Sequence, residues 1–227
     1  MLNMTYSVEG LNDNESLPYL VSKAVGDRYL VYNFRFHGYG PHQMLAALEQ
    51  GLVDDIIIQC TPRFTIYQSI SAHVGRVAGY SSWDAHGPYY KIENGEAVYQ
   101  RHFDDGKFSP DFLAKQLKKS YIYNQYILSQ TGKLDDEMIA LTVAVVRKSR
   151  HLFEQKYPGN KFHIILWDES GKLFPVETVY IYNKLKQEYE TVGIPVHYIA
   201  DMLPNYLDNV EPYTIHEQDL HPNAYAY

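Results

Sequence analysis

Near its C-terminal end the sequence reads His216-Glu217-Gln218-Asp219-Leu220-His221-Pro222-Asn223, an acid two residues before a histidine that Pro-Asn follows. Acid beside imidazole is the second half of a nucleophile-activating relay: the carboxylate orients the ring and stabilises its charged form while the ring takes a hydroxyl proton. Pro222 fixes φ and suits a helix start, so a loop leading into a terminal helix is expected here, aiming Asp219 and His221 into a cleft. The same residues allow two other readings. Asp219 could cap that helix with His221 at the surface, or His216, Asp219 and His221 could be metal ligands. No fourth ligand is spaced to help, so no metal is expected.

A second stretch lies far upstream, Asn33-Phe34-Arg35-Phe36-His37-Gly38-Tyr39-Gly40, directly after the apolar run Tyr29-Leu30-Val31-Tyr32. A strand running into spaced glycines and then a helix presents backbone N–H groups at an exposed strand end, where an oxyanion could sit. Together the two stretches resemble the SGNH (GDSL) hydrolase superfamily. Its second block has Asn and then Gly five residues later, here Asn33 with Gly38, and its last block has Asp and His before Pro-Asn, here Asp219 and His221. The Asp-x-His spacing departs from the commoner Asp-x-x-His and is similar to a variant in SGNH-like acylhydrolases and acetyltransferases.

The resemblance implies an ester hydrolase working through a serine acyl-enzyme on a small-molecule or carbohydrate ester, without cofactor. Asp219 would orient His221, His221 would act as base and then acid, and the Gly38 N–H would stabilise the oxyanion. In the family a first strand ends in Gly-Asp-Ser-x-Thr-x-Gly. Thr5 and Tyr6 match its tail, so Asn3 falls at the nucleophile position, Met1 and Leu2 replace Gly and Asp, and Ser7 falls on the glycine. The expectation is a copy that has lost its first strand by truncation rather than decay, with little esterase activity because an amide forms no acyl-enzyme. That strand is interior in the family, so the chain is also expected to be poorly stable unless residues 1–8 or another chain fill the gap. The family's Gly-x-Asn-Asp oxyanion motif has no counterpart. The nearest polar candidates are Gln59 and His73 with Arg76, each more readily structural than catalytic, and with Gly40 the last two are the candidate substrate-binding residues. The rival is a non-catalytic protein that holds a glycan or acyl chain in the same cleft.

Composition narrows the classes. A length of 227 residues suits one domain, and 45% hydrophobic with 21% charged residues is ordinary for a folded globule. A net charge of −7 without a Lys/Arg run argues against a nucleic-acid partner. Cys60 stands alone, most simply as a core residue, and no run of apolar residues is long enough to span a membrane. The 22 tyrosines are an excess that suits a binding surface.

The elements that must position these groups alternate. A helix with Leu17, Leu20, Val21 and Ala24 stops at Gly26, a strand covers 28–34, and Pro41 opens a helix with Met44, Leu45 and Leu48 inward and Gly51 at its end. A strand is expected over 54–60, centred on Ile56-Ile57-Ile58. Residues 61–112 read as an insertion beside or over the cleft, with a hairpin turning at Asn94-Gly95. A helix over 110–130 and a long helix from Asp135-Asp136 with Met138, Leu141, Val145 and Leu152 on one face follow. The chain closes with a strand over 162–167, a helix carrying Val179, Tyr182, Leu185 and Tyr189 and ending at Gly193, and a strand over 195–200 with Asp201, a weak alternative acid, at its end. The expected fold over 1–227 is α/β, a doubly wound, flavodoxin-like parallel sheet with helices on both faces and a small β-hairpin insertion.

Overall fold

A computed structural model describes residues 2–4, 12–34, 36–57, 60–105, 136–170, 174–216 and 219–227, with the side chains of 2–4, 219 and 220 outside the description. The fold is α/β. Its frame is a parallel sheet of β1 (Leu2–Met4), β2 (Tyr32–Asn33), β3 (Phe64–Ser69), β4 (Lys161–Leu166) and β5 (Val196–Tyr198), in the spatial order β2-β1-β3-β4-β5.

The strand between β2 and β3 corrects one expectation. Leu2–Met4 themselves form the interior strand, with Leu2 and Asn3 opposite Tyr32 and Asn33 on one side and Leu2, Asn3 and Met4 opposite Thr65, Ile66 and Tyr67 on the other. Their backbone groups supply the ladder that β2 and β3 both need, so the gap is filled from within the chain.

A second correction concerns the strand expected over 54–60. Asp54–Ile57 is a short helix, and the strand is Phe64–Ser69. Helical spacing buries Val53 and Ile57 four apart while Ile56 stays 55% exposed, whereas the expected strand, buried on both faces, would bury Ile56 as well. Asp54 also sits where a helix favours an acid and accepts bonds from Lys156 and Tyr157 (both 2.5 Å). In Phe64–Tyr67 burial alternates, Thr65 and Tyr67 inward and Phe64 and Ile66 half-buried, the period-two pattern of a strand with one face in the core, and at the carboxyl end Gln68 and Ser69 are both buried. This strand, inside the stretch read as an insertion, belongs to the main sheet.

Helices α1 (Leu17–Val25), α2 (Pro41–Glu49), α3 (Asp54–Ile57) and α4 (Ala72–Val77) precede the hairpin β6 (Pro88–Glu93) and β7 (Glu96–His102). Strands of the main sheet are numbered first, and those outside it follow in chain order. The hairpin turns through Asn94 and Gly95, both at positive φ, as expected. After it come α5 (Asp136–Lys156), α6 (Val176–Thr191) and α7 (Ile199–Met202). The expected helix over 110–130 lies outside the described residues.

One core cluster joins Met44 and Leu48 of α2, Val74 of α4, Val143 and Phe153 of α5 and Ile181 and Leu185 of α6 to Tyr67, Phe162, Ile164 and Leu166 of the sheet. These helices therefore cover one face. Phe64, Ile66, His163 and Ile165, on the alternate positions, are only half-buried. The long helix α5 buries a second side too: Val145, with Leu141 and Leu152, packs with Tyr90 and Ala97 of the hairpin and Leu45 of α2. Tyr90 donates to Glu49 (2.8 Å), and Lys148 bonds both Glu49 and the Ala97 carbonyl. The hairpin is thus an outer layer over α2 and α5.

Asp219 and His221 lie in a strand rather than in a loop before a helix. Here β8 (Thr214–His216) pairs antiparallel with β9 (Asp219–Pro222), and Asp219 stands opposite His216. Asn223 stops any continuation into a helix, because its amide donates to the carbonyls of Pro212 and Thr214 (both 2.9 Å) and its side-chain oxygen takes the N–H groups of Tyr225 and Ala226.

Candidate active site

Strands β3 and β4 run parallel in register, Gln68 beside Ile165 and Ser69 beside Leu166. Loops leaving parallel strands at their carboxyl ends converge there, and in such sheets that edge is where ligands bind. Beyond it β3 passes through Ile70-Ser71 into α4, and β4 continues as Trp167-Asp168-Glu169. The Glu169 carboxylate accepts the Ser71 N–H at 2.7 Å and also the Ser71 hydroxyl. Trp167 Nε1–H donates to Gln68 Oε1 (3.1 Å), and Asp168 takes the Tyr182 hydroxyl (2.7 Å) and the Ser170 N–H (3.0 Å). Buried polar groups left unpaired would each cost about 1–3 kcal/mol, so this satisfied set holds both strand ends in one arrangement.

Above them lies a cavity of about 490 Å³. Gln68, Ser71, Gly75, Trp167 and Glu169 line one side, and His221, Pro222 and Tyr227 of the C-terminal segment another. Ile181 and Tyr206 make much of the rest apolar. Burial lowers the His221 pKa, so the ring is neutral at neutral pH and can accept a proton. Burial raises Glu169, against the pull of its bonds from Ser71.

The loop after β2 reaches the same edge of the sheet. Gly38 is buried with φ +76°, and a Cβ there would stand 2.6 Å from Trp83 Nε1, so close packing as well as backbone geometry demands glycine. Trp83 Nε1–H donates to the Gly38 carbonyl (3.3 Å). The turn carrying Trp83 is clamped through Asp84, whose carboxylate accepts Gln43 Nε2 (2.6 Å) and His42 Nε2 (2.7 Å). Arg76 donates to the Tyr39 carbonyl (2.7 Å), tying this loop to α4, while Ala72 and Gly75 of that helix line the cavity.

The expected residues thus divide. His221 is on the cavity wall and Gly38 is in a loop at the same edge. Gly40 is committed elsewhere: its N–H donates to Gln43 Oε1 (2.7 Å) and its Cα side abuts His42 and Arg76. His73 is buried, its Nδ1 2.6 Å from the Tyr67 hydroxyl, so with Arg76 it supports the site from behind. Asp201 is on the exposed side of α7. Asn3 is in β1 beside Ile66, two residues short of Gln68, where the cavity begins. The side chains of Asn3 and Asp219, and all of Ser7 and Gln59, lie outside the described residues. Among the described residues no group of three or more His, Cys, Asp or Glu could hold a metal, and no helix is long and apolar enough to cross a membrane.

Sequence reasoning missed Ser71, Glu169 and Asp84, while Trp83 opened an aromatic segment, 83–90, read as a contact for substrate or a cover for the sheet. Had the third strand been read at Phe-Thr-Ile-Tyr-Gln-Ser, the residues just past its end and past Leu166 would have been first candidates by the carboxyl-edge rule.

Two buried histidines behind the site make stability depend on pH. Burial, then Arg76 and His42, hold His73 well below the usual imidazole value; burial also lowers His42, outweighing the attraction of Asp84. His42 Nδ1 and His73 Nε2 have no hydrogen-bond partner among the described residues. A lowered folded value means that the unfolded chain binds more protons below the ordinary pKa of ~6.5, so this stability is full above that value and is lost as pH falls. Each such histidine contributes a slope of about 1.4 kcal/mol per pH unit in that window. Glu169, raised in the fold, acts oppositely but only near and above its ordinary carboxylate range. Melting temperature should hold from about pH 8 to about pH 7 and fall steeply toward about pH 5, with a shallower fall for His73→Gln. A flat profile would show that neither ring is held neutral.

Compared with models of known protein families and with the curated proteins, the sequence matches none of them.

Proposed function

We propose that the cavity at the carboxyl ends of β3 and β4 is the substrate pocket of an SGNH-type ester hydrolase domain, built on a sheet of flavodoxin-like strand order, with His221 as its base. One observation carries this reading: a histidine kept neutral by burial stands on the wall of a largely apolar cavity at the edge of a parallel sheet where catalytic loops gather. The strand order β2-β1-β3-β4-β5 supports the fold assignment, since it is the flavodoxin-like order.

In this mechanism the acyl chain occupies the apolar part of the cavity and the ester carbonyl faces His221. The neutral ring takes the proton of a hydroxyl as its oxygen adds to the carbonyl carbon, Asp219 stabilises the imidazolium, and the Gly38 N–H receives the oxyanion. The imidazolium then protonates the departing alcohol, and water attacks the acyl-enzyme by the same route. The nucleophile position holds Asn3, whose amide cannot form that acyl ester, so the chain binds such an ester with little turnover. The apolar lining favours a second reading of the same cavity, an acyl-binding protein without catalysis.

Asn3→Ser is the discriminating variant. Against p-nitrophenyl esters of short to medium acyl chains it should gain turnover and react with a fluorophosphonate, while the unsubstituted chain does neither. A folded Asn3→Ser protein that stays unlabelled and inactive, yet binds fatty carboxylates with a change in Trp167 fluorescence, would establish the acyl-binding reading instead.

A further inference from the structure

We infer that the Trp167 side of the cavity is a box for a quaternary ammonium group, so that the ester brought to His221 is one of choline type. The box rests on the cavity, and that its occupant is an ester rests on the hydrolase reading. Four aromatic residues, Trp167, Phe174, Tyr206 and Tyr227, line this one cavity. Three of them pack together: the Trp167 ring is 6.4 Å from that of Tyr206 and 5.9 Å from that of Tyr227, centroid to centroid, and it meets Tyr227 edge-on at 85°. The faces of such rings carry negative potential and attract a cation that comes within about 6 Å.

Negative charge joins the rings. Among the described residues two carboxylates, Glu169 and Glu177, line the cavity, and no Lys or Arg does. Both Ser71 bonds go to one oxygen of Glu169, Oε2, so Oε1 accepts none and meets no cationic side chain among the described residues. The charge is felt at the rings: burial, then Glu169 and then Asp168 push the Tyr206 phenol above its ordinary value. A half-buried carboxylate without a counter-ion is costly, and a cation bound beside it offsets that cost.

Chemistry selects the occupant. A primary ammonium has three hydrogen bonds to donate and would leave some unmet against ring faces, whereas a quaternary ammonium donates none and is attracted by rings and carboxylates alike. An anionic group would meet like charge from Glu169 and Glu177. The net charge of −7 draws cations toward the protein as a whole. Position agrees: Trp167 and Glu169 line one side of the cavity and His221 another, so an ester held by its ammonium group has its carbonyl in the space that His221 also lines.

Calorimetric titration of the intact chain with choline should give saturable binding, about tenfold or more tighter than for the neutral alcohol in which carbon replaces the nitrogen. Added salt should weaken the binding of choline and leave that of the alcohol unchanged. Phosphocholine should bind more weakly than choline, which separates a choline ester from a lipid headgroup. Glu169→Gln keeps an acceptor for Ser71 and removes the charge, so it should hold the melting temperature and cut the preference for choline over the alcohol to about threefold or less. Should it destabilise the fold, Glu177→Gln, at an exposed position, gives the same reading with a smaller loss. No binding of choline, equal binding of the neutral alcohol, tighter binding of phosphocholine, or an undiminished preference in Glu169→Gln would overturn the box. Choline binding with an inactive Asn3→Ser chain would keep the box and remove the hydrolase; turnover of p-nitrophenyl esters without choline binding would do the reverse.

Discussion

An Asn3→Pro chain is expected to lose cooperative unfolding and to run as aggregate in size-exclusion chromatography, as is a chain lacking residues 1–4. Asn3 is the middle residue of the interior strand, opposite Asn33 on one side and Ile66 on the other. Proline removes its N–H and is tolerated in sheets only at edges or bulges. Detaching the strand leaves facing rows of N–H and C=O groups on β2 and β3 without partners. Each buried orphan costs about 1–3 kcal/mol, and a domain's whole stability is about 5–15 kcal/mol, so a few such losses are sufficient. The exposed edges would also pair between chains. A monomeric Asn3→Pro chain with a sharp, undiminished melt would show that Leu2–Met4 does not join β2 to β3.

The largest expected effect on chemistry comes from His221→Ala in the Asn3→Ser background, where kcat/KM should fall by about 10²–10⁴ with KM nearly unchanged, as for an interaction made only in the transition state. Because burial lowers the His221 pKa, the acid limb of the pH–rate profile in the parent Asn3→Ser chain should lie below the ordinary ~6.5, with activity constant above it. The sign follows from the role: a base works only unprotonated, and a lowered pKa keeps it so to more acidic pH. Retained turnover in the double variant, with the melt unchanged, would remove His221 from the mechanism.

How much of this was legible depended on whether a signal was local. Gly26, Pro41, Gly51 and the Asn94-Gly95 turn were readable because each acts through its own φ or its own missing N–H. The burial of Tyr182, Leu185 and Tyr189 along α6 was readable from helical spacing. The third strand was misplaced because three consecutive isoleucines satisfy both a buried strand and a short helix, and the choice was made by Lys156 and Tyr157, about a hundred residues away, reaching Asp54.

The candidate site shows the same division. The acid-histidine pair and the glycine loop were visible as short segments, but Asp219, His221 and Gly38 were singled out by the resemblance of the two stretches taken together, since the pair alone reads equally as a cap and a surface histidine. The α/β character was legible too, in the alternation of helical and strand-like stretches. Only the tertiary structure decided that Leu2–Met4 lies between β2 and β3, that Asp219 and His221 ride on a hairpin, and that Ser71 and Glu169, 98 residues apart, meet at the cavity that His221 also lines. It alone set Trp83 on Gly38. The physical reason is that strand pairing, burial and the pKa shifts that burial causes are properties of what surrounds a residue, and parallel strands draw their neighbours from distant segments.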